Sequence, residues 1–167
     1  MEIISERRLD IHHETDFPVK VHGGFMDIVE IKKPGLSFWT LARNGTHYKY
    51  RGKYLTPHPE LQGAVAQTTK YILQAEKKVN DKDYINDHDG VVPLKPRGLV
   101  VHGRSNKWGD EEWEAFRLFN DELHSVQAIT FDQLLAQAQR MLSIMDIKDE
   151  NPPLEEVEDI NPDDIPF

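Results

Sequence analysis

The sequence predicts an α/β domain over residues 1–145, with a mixed central sheet flanked by helices, followed by a disordered acidic tail at 146–167. Three observations lead there. Residues 25–32 and 98–103 are short runs rich in β-forming and apolar residues, of strand length. After residue 60, segments with apolar residues at helical spacing alternate with such runs. Beyond Met145 the periodicity stops, and nine acids and four prolines follow.

In chain order, residues 7–12 read as a short strand. Residues 25–32 read as a stronger one, entered through Gly23-Gly24 and stopped by Pro34. Residues 36–54 are aromatic and basic, and Asn44-Gly45 signals a hairpin between two short strands. Leu61, Val65, Ile72 and Val79 set a helix over 60–79, entered through Thr56-Pro57. Residues 80–96 read as a polar loop, and 98–103 as a buried strand. A helix follows at 110–124, with Asp110 as N-cap and Trp113, Phe116, Phe119 and Leu123 on its apolar stripe. Residues 126–129 form a brief strand. Thr130 and Gln133 make a capping box for a last helix, whose expected core face is Leu134, Leu135, Ala138, Met141 and Leu142.

The absence of cysteine excludes disulfides and thiolate metal sites. No apolar run approaches the roughly 20 residues of a membrane span, and the first residues lack the pattern of a signal peptide. The expectation is a soluble, cytoplasmic protein without a membrane partner. The net charge of −9 is unevenly spread: residues 146–167 carry nine acids and one lysine, leaving −1 for the other 145 residues. Residues 32–59 hold Lys32, Lys33, Arg43, Lys49, Arg51 and Lys53 and no acid. Local charge decides what approaches a phosphate backbone, so the total does not exclude DNA.

The chemistry centres on Glu30-Ile31-Lys32. Strand alternation puts Glu30 and Lys32 on one face and Ile31 on the other. A carboxylate offers hard oxygen ligands to Mg²⁺, and a lysine beside it orients a water or stabilises charge at a phosphate. Asp27 has the wrong parity to serve as the second carboxylate. Asp10 is the better candidate, because a neighbouring strand would bring it beside Glu30. Glu-x-Lys alone also describes a solvated ion pair on a strand surface. Here the strand is otherwise apolar and a basic aromatic segment follows it, which favours the chemical reading. Other sites compete poorly. His12-His13 lack the i, i+4 spacing of a helical zinc pair, and Asp87-His88-Asp89-Gly90 would place Ile85 and Pro96 at the end positions of a calcium loop.

Asp10, then nineteen intervening residues, then Glu30-Ile31-Lys32 resembles the PD-(D/E)XK nuclease signature. The segments ERRLDI, DIVEIKKP, ELQGAVAQTTKY, PRGLVVHGRS, RLFNDEL and ITFDQLLAQA resemble, in that order, the C-terminal nuclease domain of Shedu anti-phage defence proteins, over residues 6–142. The resemblance implies a restriction-endonuclease-like core and a DNA endonuclease. In it Asp10, Glu30 and the carbonyl of Ile31 hold Mg²⁺, with Mn²⁺ as a substitute, and Lys32 assists the attacking water. Gln67, with Tyr71 one turn later, matches the supporting Gln-x-x-x-Tyr; a plain surface position is the bland alternative. Arg104 matches the family's Gly-Arg, as a phosphate contact or as a structural anchor for its loop. The expected DNA-binding residues are Lys33, Arg43, Lys49, Arg51, Lys53 and Arg104, with Tyr48, Tyr50 and Tyr54 as stacking surfaces. A homo-oligomer is compatible with this reading. The nine residues before Asp10 are too few for the helix and strand that usually precede the motif Asp in the superfamily.

The last residues, Asp163-Asp164-Ile165-Pro166-Phe167, resemble the acidic tip of bacterial single-stranded-DNA-binding proteins. An aromatic anchor, a terminal carboxylate and steering acids suit a docking peptide for replication or repair proteins. A solubilising tail is the alternative. The rival to the enzyme is a catalytically inactive nuclease fold that presents this tail.

Overall fold

The computed structural model describes residues 2–3, 8–10, 13–14, 17–21 and 23–149, with side chains described for 18–21 and 23–144. Of the tail expected at 146–167, residues 146–149 continue a helix, contrary to the expected disorder, and residues 150–167, with the docking residues 163–167, lie outside the described residues. The chain divides into two units, Met1–Leu134 and Leu135–Phe167.

The first unit is α/β, as expected. Its main sheet runs β1 (Glu2–Ile3), β4 (Phe17–Lys20), β5 (Met26–Ile31), β8 (Gly98–Val101) and β9 (Val126–Ile129) in that spatial order. The first two pairings are antiparallel; β5·β8 and β8·β9 are parallel, so the sheet is mixed. Between them in sequence, β2 (Arg8–Asp10) pairs with β3 (His13–Glu14), and β6 (Lys49–Tyr50) with β7 (Tyr54–Leu55). The helices are α1 (Pro59–Glu76), α2 (Lys82–Asp87), α3 (Asp110–Asp121) and α4 (Phe131–Asp149), the last crossing from one unit into the other.

Alternation in β5 decides where the core sits. Met26, Ile28 and Glu30 are buried on one face, and Asp27, Val29 and Ile31 are more open on the other. α1 covers the buried face with Leu61, Ala64, Thr68, Tyr71, Ile72 and Ala75. Gly98 lets it come close: a Cβ there would collide with the Thr68 methyl and lie 3.3 Å from Ile72 Cδ1. Phe38 and Trp39 enter the same core, with Phe38 edge-on to Trp39, Trp108, Phe116 and Phe119, an arrangement that aligns ring edges with ring faces.

Several expectations need correction. The loop at 80–96 contains α2, capped by the Asp81 carboxylate on Tyr84 N–H. Val79 lies beyond α1, which ends at Glu76. Asn44-Gly45 makes a tight turn closed by a single bridge, Leu41 to His47; the paired hairpin strands flank Arg51-Gly52 instead. Asp110 is not the N-cap of α3. Gly109 holds that place, and the Glu112 carboxylate accepts its N–H at 2.9 Å. Trp113 is more than a third exposed. The largest departure is α4. Leu134, Leu135, Ala138, Met141 and Leu142, expected in a core, are exposed among the described residues. Helical spacing reports that a face is apolar, not that something covers it. The Thr130–Gln133 box forms as expected, with Gln133 Oε1 accepting Thr130 N–H at 2.9 Å.

Candidate active site

The parallel register pairs Glu30 with Val100 and Ile31 with Val101, and Lys32 N–H donates to Val101 O at 2.9 Å. Glu30 and Lys32 therefore sit at the carboxyl end of β5, on the face covered by α1. Carboxyl ends of parallel strands are where open α/β sheets place their ligands. Glu30 is only 1% exposed, an acid in a position the alternation reserves for the core. The Lys32 ammonium lies 2.5 Å from Glu30 Oε1 and donates to Gln67 Oε1 at 3.4 Å. The Gln67 amide donates to the Tyr71 hydroxyl at 2.6 Å. Strand alternation and the four-residue helical step thus bring Glu30, Lys32, Gln67 and Tyr71 into one chain of polar contacts. Burial strengthens such contacts and makes breaking one of them costly.

Asp10 lies in β2, which pairs with β3, whereas β5 is flanked by β4 and β8. Its carboxyl is outside the described side chains. Among the described residues no group of three or more His, Cys, Asp or Glu converges to hold a metal ion. The fit to a divalent cation is thus partial: Glu30 supplies a buried hard oxygen ligand, and the further donors would be Asp10 and the Ile31 carbonyl.

The basic residues are dispersed. Lys33, Arg43, Arg51 and Lys53 are exposed, as are Tyr48, Tyr50 and Tyr54. Lys49 instead pairs with Glu111 of α3 at 2.6 Å, and His47 meets Glu112 at 3.1 Å. Partial burial acts upward on the Glu112 carboxyl, but the backbone N–H groups of Glu112 and Gly109, with the His47 imidazole, hold it below its ordinary value. Arg104 donates to Asp132 Oδ1 at 3.2 Å, while Asp132 Oδ2 accepts the backbone N–H groups of Ser105 and Asn106. That is the anchoring role, in which an α4 carboxylate fixes the loop after β8.

Sequence reasoning missed His102, fully buried just past β8, and His58, whose Nδ1 caps α1 by accepting Glu60 N–H. Their rings stack with centroids 6.1 Å apart. Burial holds the His102 imidazole below its ordinary value; the Ser37 carbonyl opposes that, and the His58 charge adds to it. Extended one step past the pairing of Ile31 with Val101, the ladder sets His102 opposite Lys32, a relation that the sequence alone does not display.

The fold and the site define an α/β domain with a buried carboxylate–lysine pair at the carboxyl end of a parallel strand, braced from a helix by a glutamine. Residues 1–135 match the family described as Shedu protein SduA, C-terminal, and the chain belongs to that family. It is similar to the Shedu protein SduA of Bacillus cereus (strain B4264), with 26% identity over 124 residues. That match covers 71% of this chain and 31% of the relative, so the chain spans about a third of that protein. Among the described residues, no helix is long and apolar enough to cross a membrane.

Proposed function

We propose that this domain is a metal-dependent DNA endonuclease acting in anti-phage defence, of the PD-(D/E)XK kind. The observation that carries the reading is the buried Glu30 carboxylate, held against Lys32 and braced by Gln67. An isolated surface ion pair needs neither the burial nor the glutamine. Family membership supports the defensive role.

In this reading Asp10, Glu30 and the Ile31 carbonyl would hold Mg²⁺ or Mn²⁺, which when bound would supply a Lewis acid for the phosphate. Lys32 orients the attacking water and stabilises charge on the phosphate. Glu30 and Gln67 fix the lysine's direction, and Tyr71 fixes Gln67. Lys33, Arg43, Arg51 and Lys53 hold the DNA backbone, with Lys49 joining when DNA displaces Glu111. The tail docks on proteins that receive the tip of a single-stranded-DNA-binding protein.

The test is cleavage of linear, circular and single-stranded DNA with Mg²⁺, with Mn²⁺ and with chelator. Metal-dependent cutting that disappears in Glu30→Ala is expected. No cutting of any substrate with either metal would leave the inactive, tail-presenting protein as the better reading.

A further inference from the structure

We propose that His102 and Gly103 form a clamp that positions Lys32, making His102 a positioning residue of the centre described above; the inference rests on that reading of the site. After Lys32 the chain leaves the sheet, turns with Leu36 N–H donating to Lys33 O, and enters the core again at Phe38. Both ends of this short loop are held by the end of β8 and the residues that follow it. At the near end, Lys32 N–H donates to Val101 O. At the far end, His102 Nε2 meets Ser37 O at 3.0 Å. Gly103, with φ near 64°, lies so close that a Cβ would be 2.8 Å from Leu36 O and 3.0 Å from Phe38 N.

A carbonyl only accepts, so His102 Nε2 carries the hydrogen in this bond. Nδ1 then carries a lone pair, and it is buried with no hydrogen-bond partner among the described residues. An unsatisfied buried acceptor is unfavourable, and an apolar side chain of similar bulk would avoid it. What the imidazole brings in return is the bond to Ser37. Its ring also stacks on His58, the residue that caps α1, and α1 carries Gln67. His102 thus touches both supports of the lysine: the loop that follows it and the start of the helix that braces it. A loosened loop would leave the ammonium free to drift from Glu30 and Gln67. Misplacement by about 1 Å in such a centre costs up to about 100-fold in rate.

The experiment compares the full chain with His102→Leu and His102→Gln, each checked for folding by circular dichroism. Two readouts are taken: Mg²⁺-dependent plasmid cleavage, and the ¹⁵Nζ signal of Lys32, identified by its loss in Lys32→Arg. For His102→Leu the expected result is a fall of about tenfold in kcat with KM changed less than about twofold. The Lys32 signal should move toward those of exposed lysines. His102→Gln, whose amide N–H reaches Ser37 O, should restore most of both. A folded leucine variant with wild-type cleavage and an unmoved Lys32 signal overturns the clamp. If that variant does not fold, His102→Asn replaces it, since its amide is too short to reach Ser37; asparagine and glutamine behaving alike also overturns it. Absence of cleavage in the unaltered protein sinks the nuclease reading instead, and the Lys32 signal then decides the clamp by itself.

Discussion

Glu30 occupies a core position of β5 that the burial of Met26 and Ile28 would otherwise give to an aliphatic side chain. A carboxylate tolerates that position because Lys32 meets it. The two side chains should therefore be strongly coupled in stability. Lys32→Met alone is expected to cost about 3 kcal/mol, because it takes a cation away from a buried carboxylate. Adding Glu30→Gln should recover much of that loss in urea titrations, although under the proposed function neither variant is expected to cleave DNA. A double variant no more stable than the single one would show that the pair is not the source. His102 supplies a pH signature. Its folded pKa lies below the ordinary 6.5, so the unfolded chain binds the extra proton first as pH falls. Its contribution is complete above about 6.5 and is lost as pH drops toward the folded value. Melting temperature should thus fall less steeply on acidification in His102→Gln than in the unaltered protein. Glu30 and Lys32 were legible in the sequence because they lie two residues apart along one strand; Gln67 came from the family resemblance, since its bond to Lys32 spans 35 positions. His102 was not, because its importance lies in a bond across 65 positions to a backbone carbonyl, which leaves no mark on composition.

The elements were legible where amphipathic spacing coincides with burial. β5, α1, β8 and β9 follow their patterns, and α3 shifts only at its cap. α4 shows the limit: its apolar stripe is real in the sequence, and its exposure depends on what lies against it, which spacing does not encode. The pairing of α3 with the β6–β7 hairpin was also hidden, since it joins positions 49 and 111. It revises the basic segment, because the acids at the start of α3 partly neutralise it. Glu111→Gln frees Lys49 and is expected to tighten DNA binding by about threefold at low salt and to steepen its salt dependence. Polarisation titrations at several salt concentrations would measure this. Unchanged affinity would remove the hairpin from the DNA-binding surface.

For the molecule as a whole, charge separates a basic stretch at 32–59 from the acids after Met145. Ending the chain before Asp146 is expected to leave cutting by the purified protein unchanged. The same truncation should abolish capture by proteins that receive the tip of a single-stranded-DNA-binding protein. Faster cutting by the truncated chain would instead indicate self-inhibition by the tail, and capture that survives truncation would sink the docking proposal. The fold class was legible at this scale because strands and helices alternate after residue 60. The spatial order of the strands was not, since parallel partners are joined through long crossovers. The β5·β8 ladder unites positions 28–31 with 98–101, with α1 between them in sequence. A ribosome delivers these partners at different times, at roughly 5–20 residues per second. Until the later strand emerges, Glu30 and Lys32 have no neighbour on that edge, and the loop after Lys32 has no anchor. A half-made chain therefore holds the motif without the geometry, and assembly of the centre waits for most of the domain to be synthesised.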